Sequence, residues 1–116
     1  MLHLEALFDK KYLRWFHMED GKLLVEITKI EPKVEMRVPG NPKPEFNPVL
    51  HFKVKQGKID KVRPLVLKVT NARLIGAIHG PYPDEWIGKE IVLYVDKTMV
   101  KGKMTECVRI RSKANG

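Results

Sequence analysis

Cysteine is almost missing from this chain: Cys107 is the only one in 116 residues. No intrachain disulfide can form, and a zinc site built on cysteines is excluded. The scarcity fits a reducing, intracellular setting. Long hydrophobic runs are missing too. The longest, "GKLLVEI" and "EIVLYV", fall far short of the roughly 20 apolar residues of a membrane-spanning helix. The opening "MLHLEALFDKKYL" mixes charge into its apolar residues, unlike a secretory leader. These absences predict a cytoplasmic protein with no membrane contact.

Signatures of catalysis are absent as well. There is no GxxxxGK[ST] or GxGxxG stretch to cradle a nucleotide and no GxSxG elbow. His3, His17, His51 and His79 are scattered without HxH or HExxH spacing, so no metal site is expected and each reads as a surface residue. Asp84 and Glu85 of "PDEW" read as capping or ion-pairing groups in a loop. The expectation is a protein that is not an enzyme and uses no cofactor or metal.

Acidic residues are in deficit. Twenty-two Lys and Arg against fourteen Asp and Glu give a net charge of +8, which favours an anionic partner such as nucleic acid. The excess sits in two blocks: residues 21 to 63 and 97 to 116 carry +5 each, while 1 to 20 and 64 to 96 carry −1 each. The stretch "DKTMVKGKMTECVRIRSK", Asp96 to Lys113, holds six basic residues and two acids.

Composition is otherwise that of one globular domain, 43% hydrophobic and 31% charged, long enough to bury a core unaided. Leu4, Leu7, Phe8, Tyr12, Trp15 and Phe16 recur at spacings of three and four, predicting a short helix or apolar arm over residues 1–22, with Trp15 as a core anchor. "LLVEITKIEPKVEMRV" reads as a long bent strand whose alternation slips at Lys29 and Ile30, as at a bulge. Four prolines in "PGNPKPEFNP" predict a long exposed loop over 39–48. "VLHFKVK" alternates cleanly, with Leu50, Phe52 and Val54 facing inward and His51, Lys53 and Lys55 outward. "RPLVLKV" predicts a third strand.

Thr70 is the expected N-cap of a helix over "NARLIGAIH", stopped by Gly80. Trp86 and Ile87 then anchor a loop in the core. "EIVLYVD" and "MTECVRIR" predict strands four and five, joined by "KTMVKGK" as a basic turn. Residues 112–116 are a tail.

Three strands, one helix and two more strands, with a long bulged first strand, is the element order of the OB-fold, a five-stranded Greek-key barrel. The expected fold is therefore all-β with one helix, the barrel spanning 23–111. A five-stranded roll of the same order stays open. An OB-fold binds ligands on strands two and three and on the loops joining strands one to two and four to five, where both basic blocks fall. The candidate nucleic-acid contacts are Lys43 and Phe46 in the first loop, His51, Lys53, Lys55 and Lys58 on strand two and its turn, and Tyr94 with Lys97, Lys101, Lys103, Arg109 and Arg111 on the last two strands and their loop. Lys53 and Lys55 serve equally well to prevent edge pairing between molecules.

The run "PLVLKVTNARLIGAIHGPYPDEWIGKEIVLYVDKTMVKGKMTECVRIR", with "LFDKKYL" and "PVLHFK" before it, resembles a family of small proteins encoded by bacteriophages and prophages near replication and recombination genes. The matching features are the helix start Leu67 to Ala72, the turn Asp84 to Lys89 and the last strand Val108 to Arg111. Val69, where that family's pattern is polar, and the Pro-rich loop depart from it. The resemblance implies binding of single-stranded DNA and carries no catalytic residues over.

The expected function is non-catalytic binding of single-stranded nucleic acid, DNA ahead of RNA, with little sequence preference, in phage DNA replication or recombination. The alternative is a protein-interaction module, an accessory to a phage nuclease or recombinase or a minor virion component, suggested by the aromatic arm and the Pro-rich loop. Structured RNA is a third reading. Self-association into a homo-oligomer and contact with phage replication or recombination proteins stay open.

Overall fold

A computed structural model describes residues 11–37 and 40–113. Five strands, β1 (Lys22–Met36), β2 (Glu45–Gln56), β3 (Leu65–Val66), β4 (Glu90–Val100) and β5 (Lys103–Arg111), form an antiparallel sheet in the order β3-β2-β1-β4-β5. Helix α1 (Val69–His79) lies between β3 and β4, and short 3-10 turns occur at Trp15–His17 and Pro83–Trp86. No helix among the described residues is long and apolar enough to cross a membrane.

Period-two alternation builds the core. Leu23, Val25 and Ile27 of β1, Leu50 and Phe52 of β2, Ile91 and Leu93 of β4, and Val108 and Ile110 of β5 are all buried. Each such side chain contributes about 1.5–3 kcal/mol through removal of apolar area from water. Ile75 of α1 and Trp86 close one end of this core, and the Trp86 indole N–H donates to the Gly80 carbonyl at 2.8 Å.

The expected slip in β1 is present: the register against β2 shifts between Ile27 and Lys29. Of two further shifts, one falls between Leu24 and Val25 and the other between Glu31 and Val34, where Pro32 and Lys33 lie opposite Pro48. Two residues that cannot donate to a ladder thus share one irregularity, which costs the sheet little.

Several expectations need correction. The Pro-rich loop is shorter than 39–48, because β2 starts at Glu45 and accommodates Pro48 at that bulge. "KTMVKGK" is not a loop. Lys97 lies in β4 and Lys103 in β5, and only Lys101 and Gly102 turn, both at positive φ (50° and 79°), as a two-residue hairpin turn of the primed type demands. Strand three shrinks to two residues, since the chain enters α1 directly after Leu67. Lys68, not Thr70, occupies the N-cap position, with no side-chain cap. Ile87 is 46% exposed and anchors nothing, and His17 is buried rather than superficial.

The barrel is not closed. β3 and β5 end the sheet on either side and share no ladder among the described residues. The arm lies at this gap: Leu13 is buried in the core and its N–H donates to the Pro64 carbonyl at 2.8 Å, while the Trp15–His17 turn touches β5. Arg14 has extended backbone, so this part of the arm is not helical. Residues 1–10 and 114–116 of the predicted arm and tail lie outside the described residues.

Candidate nucleic-acid interface

Where the sheet stays open, a cleft of about 590 Å³ runs between the arm, the far ends of β1 and β2, β3 and β5. Every wall but β2 contributes a cation: Lys11 and Arg14 from the arm, Arg37 just past β1, Lys68 after β3, and Arg109 from β5. Two half-buried rings, Tyr12 and Trp15, line it as well. The Lys11 ammonium sits 5.5 Å from the Tyr12 ring centroid, and Trp15 meets Phe16 edge-on at 5.5 Å.

Two carboxylates, Glu35 and Glu45, also line the cleft, and each has a cation beside it. Arg37 lies 3.6 Å from Glu35, and Lys68 lies 4.0 Å from Glu45. Lys68 is further held by Asn47 Oδ1 at 3.4 Å. Among the described residues no carboxylate stands within ion-pair distance of Lys11, Arg14 or Arg109. The cleft therefore carries a positive surplus. Its shape is pinned from below by Asn71, whose buried Nδ2 donates to the Val108 carbonyl at 3.0 Å.

Of the residues singled out in the sequence, Arg109 lies in this cleft. Phe46 is 53% exposed at the start of β2, between the cleft residues Glu45 and Asn47, with Lys33 Nζ 5.7 Å from its ring centroid. Lys43 is exposed in the preceding loop and its backbone N–H donates to Asn41 Oδ1. Lys53 and Lys55 share one carboxylate, Glu26, across the β1–β2 ladder at 3.4 and 3.8 Å, which offsets one of their two charges. Lys58 is exposed in the turn after β2. Lys97, Lys101 and Lys103 are exposed on the β4–β5 hairpin, away from the cleft. The Arg111 guanidinium lies over the Tyr94 ring at 4.9 Å, on the outer face of the sheet.

His51 Nε2–H donates to Glu31 Oε1. That hydrogen bond holds the Glu31 carboxyl below its usual range against an opposing contribution from burial, and Lys29 and Lys11 add to the lowering. Arg63, counted in the first basic block, is buried and bonds to Asp60 and the Lys61 carbonyl. It adds no surface charge.

Sequence reasoning missed Lys11, Tyr12, Arg14, Trp15, Arg37 and Lys68 as a group. One signal was available for the arm: in "KKYLR" a buried Leu13 between Tyr12 and Arg14 fits an extended segment, whereas the helical spacing counted across 4–16 hid it. Among the described residues, no group of three His, Cys, Asp or Glu side chains gathers as a metal site does. Set beside known proteins, the chain matches no family model, no curated protein and no solved structure.

Proposed function

We propose that this protein binds single-stranded nucleic acid, DNA ahead of RNA, in the cleft between the arm and β5, without catalysis and with little sequence preference. One observation carries the reading: cations from four separate segments, Lys11, Arg14, Arg37, Lys68 and Arg109, converge on one trough that also holds Tyr12 and Trp15. Such a trough follows a phosphate backbone by releasing counterions, and rings along it stack on unpaired bases at about 1–3 kcal/mol each. A duplex offers no free base faces to those rings.

The strand order β3-β2-β1-β4-β5 with the helix after β3 supports reading the sheet as an OB-fold left open between β3 and β5; the cleft shares the β1–β2 end of the usual ligand surface of such folds but not the β4–β5 hairpin. The resemblance to small phage proteins supports a role in phage DNA replication or recombination. Titration of fluorescent dT oligomers at several salt concentrations tests the proposal. If three to five cations are engaged, log K falls against log salt with a slope between about −2 and −3.5. No binding at low salt removes it.

The β4–β5 hairpin favours a second reading, a protein-interaction module serving a nuclease or recombinase. Met99 and Met104 pair across the two strands and are 60% and 59% exposed, an apolar tip suited to a protein partner. A phage-infected lysate separates the readings: a specific partner retained after nuclease treatment, with no binding of oligomers, supports this one.

A further inference from the structure

The basic lining of the cleft continues across β5. In its second half, where Val108 and Ile110 are buried, the residues alternating with them are Cys107, Arg109 and Arg111. Cys107 and Arg109 line the cleft, whereas Arg111 lines a separate trough of about 320 Å³ on the outer face of the sheet. Two rows of neighbouring side chains lie there. Gln56, Leu24, Val92 and Arg111 stand side by side across β2, β1, β4 and β5, and Lys22, Tyr94 and Arg109 form the adjacent row. Arg109 and Arg111 are two residues apart on one strand, a step of roughly 7 Å.

The trough has an apolar floor, Leu24 and Val92, edged by Lys22, Arg111 and Lys113, with Asp20 as the single carboxylate among its lining residues. Arg111 is held by Tyr94, over whose ring its guanidinium lies at 4.9 Å; its Nε is buried without a hydrogen-bond partner among the described residues. Glu26 and Glu90, one row further along, face each other across β1 and β4 and have Lys53, Lys55 and Lys113 beside them. An anionic chain leaving the cleft over Arg109 thus meets Lys22 and Arg111, then Lys113, which a phosphate would share with Glu90 at 3.0 Å, against Asp20 as the one acid of the lining.

Resting on the reading of the cleft as a single-strand site, we infer that the bound strand crosses β5 at Arg109 and continues into the outer trough. There Lys22, Arg111 and Lys113 hold its phosphates. Tyr94 is a positioning residue, keeping the Arg111 plane flat on the sheet so that its free N–H groups serve the ligand. The binding site is then longer than the cleft, and affinity rises with oligomer length until both segments are filled.

Affinities for a short and a long dT oligomer, about five and fifteen nucleotides, test this through their ratio. In Arg111→Gln/Lys113→Gln, and separately in the exposed Lys22→Gln, the long-to-short ratio falls below that of the wild type, by about tenfold in the double variant. Tyr94→Leu lowers the ratio and Tyr94→Phe restores it, which a merely structural defect at Tyr94 does not do to a ratio of two ligands. A ratio equal to the wild type in both charge variants overturns the extended path and leaves the cleft standing. Failure of the wild type to bind either oligomer overturns the single-strand reading and this inference with it.

Discussion

Asn71 and Val108 are joined by a buried hydrogen bond of 3.0 Å from the Asn71 amide to the Val108 carbonyl, tying the first turn of α1 to the edge strand β5. Both residues also line the cleft. Asn71→Leu leaves that carbonyl without its partner in a dry setting, at a cost of about 1–3 kcal/mol. The expected outcome is a lower denaturant midpoint with an unchanged m-value, and amide exchange that rises most in β5. An unaltered midpoint contradicts this role for Asn71.

Gly57 follows β2 with φ +116°, and a Cβ there would sit 2.7 Å from Leu23 Cδ2 and 2.9 Å from the Lys22 carbonyl oxygen. Leu23 is fully buried, so it has no room to yield. Gly57→Ala combines strained backbone with this clash and costs about 2–4 kcal/mol. Gly21→Ala is the control: its φ is +75° but open space surrounds the added Cβ, and the loss is about 1 kcal/mol. Thermal unfolding of the two variants ranks them, with Gly57→Ala melting lower.

The His51–Glu31 hydrogen bond makes stability depend on acid pH. Glu31 has a lowered folded pKa, so its contribution is present above the ordinary carboxyl value of 4.5 and is lost as pH falls through the lower folded value. Glu31→Gln removes this dependence. Urea midpoints measured from about pH 5 downward fall less steeply in the variant than in the wild type. Parallel profiles contradict the assignment.

Elements with clean alternation were legible in the sequence. "VLHFKVK" sets Leu50 and Phe52 inward and the lysines outward as expected, and Gly80 stops α1 with φ +98°. The hairpin was misjudged because basic residues in "KTMVKGK" resemble a solvated loop, although the turn itself needs only Lys101 and Gly102. Charge was legible in amount but not in pairing. Glu26 meets Lys53 and Lys55 through a register that local pattern does not reveal, and Arg63 turns inward to Asp60. The cleft depends on contacts between distant segments: Leu13 bonding to Pro64, and Lys68 reaching Asn47 and Glu45.

The central claim is that the cleft, rather than the outer face of β2, takes the strand. Its most direct test compares the affinity of one dT oligomer, at low and moderate salt, for Arg14→Gln/Arg109→Gln and for Lys53→Gln/Lys55→Gln. The prediction is a loss of about tenfold or more in the first pair, with the salt slope shallower by about 1.4, and a change under about twofold in the second. Equal losses, or a larger loss from the β2 lysines, contradict it.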